Sequence, residues 1–277
     1  MLDTIRHQWQ AKVAIVLFVI LTLFWLTLQT DVFKGTSLFD HSVAKFFGAI
    51  YGIMALWGAI WGLSIAKHWG GGKSLMGRAI LMFSFGLLLQ EFGQASLSYI
   101  DYVLNIQGAY PSIGDVGFFG SIPFYIYGSF LLAKVSGVQI KLQTIASKIQ
   151  AVIIPLIMLL IGYYLFLQNY EFDWSDPIRI FLDFGYPFGQ AIYVSLAILT
   201  YLLSKGVLGG IMKSKVLFIL LALVVQFLSD YVFLYQTIQG TWSVGGINDY
   251  MYLIAYFLMT LALMQLGTVL AKLRDTK

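Results

Sequence analysis

Residues 12–30 read KVAIVLFVILTLFWLTLQT, and after Lys12 this run contains no charged side chain. A helix needs about twenty predominantly apolar residues to cross a hydrocarbon core of about 30 Å. Runs of this length recur along the chain, and the eight predicted spans are residues 12–30, 43–66, 79–105, 113–133, 149–168, 177–204, 214–238 and 246–271. The chain is 59% hydrophobic and 11% charged, whereas about a quarter of the residues in soluble domains are charged. The sequence therefore predicts an all-α integral membrane protein, with residues 1–277 forming a single transmembrane domain.

The basic residues indicate how the spans are oriented. Fourteen of the seventeen Lys and Arg residues lie in the terminal segments or near the connections after even-numbered spans: Arg6, Lys12, Lys67, Lys73, Arg78, Lys134, Lys141, Lys148, Lys205, Lys213, Lys215, Lys272, Arg274 and Lys277. Short cytoplasmic loops retain Lys and Arg, so both termini are expected on the cytoplasmic side of the membrane. The sequence pI near 9.0 favours contact with anionic lipid headgroups rather than with nucleic acid.

The chain also contains internal similarity. The third span ends with SLSYIDYVLNIQG (residues 96–108), and the seventh ends with FLSDYVFLYQTIQG (residues 227–240). After each of them a short loop leads to an aspartate, Asp115 in one case and Asp249 in the other. Internal similarity of this kind is typical of repeated units. We interpret the chain as four αα-hairpins in parallel orientation, residues 12–66, 79–133, 149–204 and 214–271.

Polar side chains inside the spans are costly unless they face a partner or a watery cavity. In the third span they occupy one stripe of a helix, because they follow one another at i, i+3, i+7 and i+10. The sixth and seventh spans carry further polar residues in the half away from the basic loops. These residues predict a ligand-binding cavity open to the extracytoplasmic side and lined by Glu91, Gln94, Ser98, Asp101, Asp183, Gln226 and Asp230. The structural alternative is hydrogen bonding between helices.

Two further groups of residues lie near the ends of spans. Tyr102, Tyr186 and Trp242 are predicted to form the rim of the cavity, although aromatic residues also line the membrane interface in general. Ser112 and Asp115 have the S-x-x-D spacing of a capping box. Asp176 precedes a proline, as an N-cap residue precedes a proline at the first helical position, and Asp249 corresponds to Asp115. We interpret all four of these polar residues as helix caps, to which a ligand contact would be additional.

The residues that other classes of protein need are not apparent. The chain has no cysteine, and its three histidines, His7, His41 and His68, lie near span ends. A thiolate or histidine metal site is therefore not expected, and no cofactor is indicated. Because the sequence has no GxSxG or HExxH motif, an enzyme is the less favoured interpretation. Catalysis by carboxylates alone stays open.

The stretch PSIGDVGFFGSIPF (residues 111–124) resembles the PSxxD-x7-P motif of a multi-pass membrane sensory region. That region precedes GGDEF, EAL or histidine-kinase domains in some bacterial signalling proteins. Four positions match the motif, namely Pro111, Ser112, Asp115 and Pro123, and Ile122 departs from it where the family has tyrosine. Tyr186 keeps that tyrosine, before Pro187, in the third hairpin. The resemblance implies a sensing module whose ligand is generally unassigned, here expected to act without an output domain.

These observations support three hypotheses about function. The leading one is a sensor-like or ligand-binding protein of a bacterial inner membrane. It would bind a small extracytoplasmic or lipidic ligand and signal to a cytoplasmic or membrane partner through the tilt of its hairpins. The second is a transporter of small solutes or ions, which also needs carboxylates within the membrane. The third is a structural subunit of a membrane complex. Its helix contacts would use the GxxxG pairs Gly48 and Gly52, Gly58 and Gly62, and Gly185 and Gly189.

Overall fold

The computed structural model describes residues 4, 8–30, 42–106, 109–138, 142–168, 170–204 and 210–275. Within these ranges every regular element is helical. The helices are α1 (Trp9–Leu28), α2 (Ser42–Ile50), α3 (Ile53–His68), α4 (Leu75–Tyr102), α5 (Ile113–Val135), α6 (Ile145–Gly162), α7 (Pro177–Ser204), α8 (Gly210–Ile238) and α9 (Ile247–Asp275). A 3₁₀ turn, Gly71–Lys73, precedes α4, and a π-helical turn, Tyr163–Leu167, extends α6.

The prediction of eight apolar helices is confirmed. Eight segments are long and apolar enough to cross a membrane, and their ends lie within four residues of the predicted ones. Helices α2 and α3 together form the second of these segments, which is interrupted at Tyr51 and Gly52. The chain is therefore of the multi-pass membrane class.

Local sequence explains where several helices begin and end. The hydroxyl of Ser74 accepts a hydrogen bond from the backbone N–H of Gly77 at 2.9 Å, and that of Thr144 accepts one from Ser147 at 3.3 Å. A side-chain acceptor at the N-cap satisfies a backbone donor that has no partner within the helix. The chain reverses between α3 and α4 through Gly70, whose φ of 89° is available to glycine at little cost.

Contacts between the spans close into a ring. Helix α3 packs on α4, α4 on α5, α5 on α7, α7 on α8, α8 on α9, and α9 on α3. Helix α1 lies outside the ring against α9 and α3, and α6 lies outside it against α7. Only 22% of the membrane-length window of α1 is buried and only 6% of that of α6, compared with 72% for α9. The six spans of the ring therefore form the core, and α1 and α6 present most of their surface to the surroundings.

The four predicted hairpins each join two spans that touch in the structure. The order of spans around the ring also repeats after four spans. The outer helices α1 and α6, which are the first and fifth spans, each pack on the span that follows them in the sequence. A repeat origin for the hairpins and the orientation of the termini stay predictions. The loop of the first hairpin, together with Arg6, Lys141 and Lys205, lies outside the described residues.

Candidate functional site

The ring encloses a cavity of about 830 Å³, within the usual range for small-molecule sites. Its lining comes from one end of the ring, where residues 109–112, 170–176 and 242–244 connect the helices. The lining residues that lie deepest along each ring span form the floor of the cavity, and they are Tyr51, Gln90, Tyr125, Tyr193, Asp230 and Tyr256. All six are buried. The cavity is therefore open at one end of the helices and closed about halfway along them.

One part of the floor is a network of uncharged groups. The hydroxyl of Tyr256 donates to Gln90 Oε1 at 2.9 Å, and Gln90 Nε2 donates to Ser121 Oγ at 2.7 Å. Beside it, the hydroxyl of Tyr51 donates to Gln94 Oε1 at 2.8 Å. Since Tyr256, Gln90 and Ser121 belong to three different spans, this network fixes α9, α4 and α5 relative to one another.

The other part of the floor is centred on Asp230. Its carboxylate accepts from the hydroxyl of Tyr193 at 2.8 Å and from Gln226 Nε2 at 3.0 Å. A third hydrogen bond comes from the hydroxyl of Tyr252. No Lys or Arg among the described residues lies within ion-pair distance of it. Removing a carboxylate from bulk water is costly, and hydrogen bonds offset that cost in part. The floor thus holds one carboxylate in an otherwise neutral aromatic setting.

A second carboxylate, Asp183, lies higher in the wall. It accepts from the hydroxyl of Tyr110 at 2.6 Å and from that of Tyr170 at 2.7 Å. Arg179 Nε stands 3.9 Å from the same carboxylate. Burial and the hydrogen bond to Asp183 raise the pKa of Tyr170 to about 12. The phenol therefore stays protonated and continues to donate at neutral pH.

The helix-cap residues also line the cavity. Ser112 and Asp115 form a capping box at the start of α5, and the second oxygen of Asp115 accepts from the hydroxyl of Tyr186 at 2.7 Å. Asp176 accepts from the backbone N–H of Arg179 at 3.0 Å. Asp249 accepts from the backbone N–H of Gly245 at 2.7 Å. The same carboxylates thus begin helices and face the cavity.

The mouth of the cavity is acidic and aromatic. Lys45 Nζ lies 3.1 Å from Asp101, and Ser98, Tyr102 and Trp242 line the wall nearby. Hydrogen bonds from Ser175 hold the pKa of Asp173 below its usual range. Asp173 is therefore ionised at neutral pH and adds negative charge at the mouth.

Three buried polar atoms in the lining have no hydrogen-bond partner among the described residues. They are Asn248 Oδ1, Gln190 Oε1 and Trp242 Nε1. The side chains of Asn248 and Gln190 are 1% and 4% exposed. Buried polar groups in native proteins are nearly always paired with protein, water or ligand. All three atoms belong to side chains that line the cavity.

The structure separates the predicted site residues into two sets. Gln94, Ser98, Asp101, Asp183 and Asp230 line the cavity, together with the three predicted rim residues. Two predicted residues do not line it. Gln226 lies beneath Asp230 and contacts it, and Glu91 points toward the interruption of the second span, where its carboxylate leaves no room for a Cβ on Gly52. Glu91 Oε2 has no hydrogen-bond partner there.

Sequence analysis missed most of the floor. The residues not predicted were Tyr51, Gln90, Tyr125, Tyr193 and Tyr256. Each is a polar group in the middle of an apolar span, where a buried tyrosine hydroxyl usually requires a partner. That requirement is the signal that points to them, whereas the prediction placed aromatic residues only at the rim of the cavity.

The lining combines carboxylates and amides with aromatic side chains, and its two cations are Lys45 and Arg179. Among the described residues, no three His, Cys, Asp or Glu side chains are grouped so that they could hold a metal ion. Comparisons with family models, curated proteins and solved structures find no match to this chain.

Proposed function

We propose that this chain is a ligand-binding membrane protein of the sensor type. A small molecule reaches the cavity from the extracytoplasmic side of a bacterial inner membrane, and both termini lie on the cytoplasmic side. Binding changes the relative tilt of the four hairpins, and their cytoplasmic ends transmit the change to a partner protein.

The observation that supports this proposal is the position of the cavity along the helices. Its lining includes residues from all six spans of the ring, so a ligand that fills it contacts every span at once. Below the floor the ring is packed with buried apolar side chains such as Phe83, Leu87 and Leu263. A site closed on one side suits binding and release at the same end of the helices. A ligand shifts a protein between two conformations only if it binds one of them more tightly than the other. A ligand that contacts six spans can bind two arrangements of those spans with different affinity.

Single-cysteine labelling tests the accessibility and the orientation of the cavity. Because the chain has no cysteine, Ser98→Cys places one thiol in the lining. Gly72→Cys places one in the Lys-rich connection before α4, where a Cβ meets nothing within 4 Å. A membrane-impermeant maleimide added to intact cells is expected to label Ser98→Cys. It is expected to label Gly72→Cys only after the membrane is permeabilised.

Ala95→Cys is the matched control, because Ala95 lies on α4 close to Ser98 but is exposed on the outside of the bundle. A thiol in lipid forms little thiolate and reacts slowly, so this variant is expected to label weakly in both conditions. Labelling of Gly72→Cys in intact cells would contradict the orientation. Failure of Ser98→Cys to label from either side would contradict an open cavity.

A transporter is the second candidate, because the second span is interrupted beside Glu91. Interrupted helices near the middle of the membrane commonly form ion or solute sites in carriers. The interruption at Tyr51 and Gly52 and the unpaired oxygen of Glu91 have this character. Flux measurements distinguish the two candidates.

A further inference from the structure

The charged groups of the cavity are strongly unbalanced. Eight carboxylates line it, from Asp101, Asp115, Glu171, Asp173, Asp176, Asp183, Asp230 and Asp249, against two cations, Lys45 and Arg179. A concave surface with one sign of charge concentrates molecules of the opposite sign. The lining therefore disfavours an anion and attracts a cation.

The floor adds a reason specific to Asp230. Its hydrogen bonds come from the neutral donors Tyr193, Gln226 and Tyr252. Tyr125 and Tyr256 line the same floor. Aromatic faces attract cations, most strongly where water is excluded. A carboxylate among tyrosine rings is the combination that recognises an organic ammonium group.

Two side chains of the lining, Asn248 and Gln190, each hold a fully buried oxygen without a hydrogen-bond partner, and a third unpaired atom, Trp242 Nε1, is a donor. Asn248 Nδ2 donates at 2.8 Å to the backbone carbonyl of Ser229, the residue before Asp230. This bond requires the amide nitrogen at that position and leaves Oδ1 as the acceptor without a partner. Gln190 lies one helical turn before Tyr193, and its Oε1 also has no partner. Both atoms accept hydrogen bonds, and an ammonium group only donates them.

We infer that the cavity binds an organic amine, with its ammonium group at the carboxylate of Asp230 on the tyrosine-lined floor. The apolar part of the amine contacts the wall around Phe118 and Ile122. This inference rests on the proposed function, since it names the class of ligand for the same cavity.

Calorimetry on the full chain in mild detergent tests the class, with three probes of similar size. Benzylamine has a positive charge and donors, benzyltrimethylammonium has the charge alone, and phenylacetate is an anion. We expect benzylamine to bind about tenfold more tightly than benzyltrimethylammonium, because hydrogen bonds to charged groups are strong. Phenylacetate is expected not to bind.

Two variants locate the bound charge. Asp230→Asn keeps an acceptor for Tyr193 and is expected to weaken benzylamine binding about tenfold or more. Glu91→Gln is the matched control, since it removes a carboxylate from the middle of the membrane that does not line the cavity. It is expected to leave the affinity unchanged.

A second measurement does not depend on the folding of Asp230→Asn. Ser98→Cys is treated with a cationic and with an anionic methanethiosulfonate reagent, in the presence and absence of benzylamine. We expect faster modification by the cationic reagent and protection of the thiol by benzylamine.

The outcomes separate the inference from the proposed function. If phenylacetate binds as tightly as benzylamine and protects Ser98→Cys, the amine inference is wrong while a ligand-binding cavity stands. Binding of benzylamine that is unaffected by Asp230→Asn also overturns the inference. If no probe binds and Ser98→Cys reacts with neither reagent, both the inference and the proposed function are wrong.

Discussion

The cavity half of the ring and the half beneath it use their hydroxyl groups differently. In the cavity half, tyrosines such as Tyr256 and Tyr186 donate to side chains of other spans. Beneath the floor, Ser84, Ser195 and Thr200 donate at 2.6–2.7 Å to carbonyls four residues earlier in their own helices, whereas Thr260 donates to the backbone carbonyl of Met54 in α3 at 3.2 Å. A hydroxyl bonded to its own backbone presents no polarity to a neighbour. The cavity half therefore holds more hydroxyl hydrogen bonds between side chains of different spans than the half beneath it.

The largest expected effect comes from disturbing the lower half. Gly62 lies where α3 meets α4 and α9, and a Cβ on it would clash with Ser84 and stand 2.9 Å from Leu263 Cδ1. We expect Gly62→Leu to reduce the stability by about 3 kcal/mol or more, because overpacking forces helices apart. Thermal unfolding of the purified chain measures the loss.

Gly120→Leu is the control for this prediction. It lies on α5 in the cavity half, and a Cβ there meets only Leu89 Cδ1, at 3.7 Å. Its expected change in stability is within about 0.5 kcal/mol. Equal losses for the two variants would show that close packing of Gly62 against α4 and α9 is not the cause of the loss.

An intermediate effect is expected at the floor itself. Tyr193→Phe removes the hydroxyl that donates to Asp230 and leaves a buried carboxylate with one fewer donor. The expected loss is about 1.5 kcal/mol, since hydrogen bonds to charged groups contribute more than neutral ones. Tyr201→Phe on the same helix is the matched control, because Tyr201 is 48% exposed. If both variants melt together with the wild type, Tyr193 does not support Asp230.

The contrast between the halves also explains what the sequence could predict. Apolar runs predict the spans, because the backbone N–H and C=O groups of a segment in lipid must hydrogen-bond to each other, and a helix satisfies all of them within the segment. The capping box of Ser112 and Asp115 can be predicted from the sequence because the two residues stand only three positions apart. These features are local, so a single sequence contains the information for them.

The cavity depends on contacts between distant residues, which is why it was predicted only in part. The helical stripe places Glu91 near Gln94, but it cannot show that Gln90 faces the cavity while Glu91 turns to Gly52. The outcome depends on how α4 is rotated against the second span. Likewise, the hydrogen bond between Asp183 and Tyr110 joins α7 to the connection between α4 and α5. The two residues are far apart in the sequence, so no spacing pattern predicts that they meet.

The last prediction is that the protein causes no uptake of a charged molecule into liposomes. It tests whether the lower half of the ring excludes polar molecules. Liposomes containing the purified chain are given benzyltrimethylammonium, whose permanent charge prevents it from crossing the lipid as a neutral amine. We expect uptake equal to that of protein-free liposomes, because beneath Asp230 the path meets Leu223, Phe83 and Leu263, all fully buried. A cation placed among such side chains loses its hydration without a compensating partner. Uptake that exceeds the protein-free value and is lost in Glu91→Gln would make the interrupted second span a transport route, and the difference between the two halves would then describe one state of a carrier.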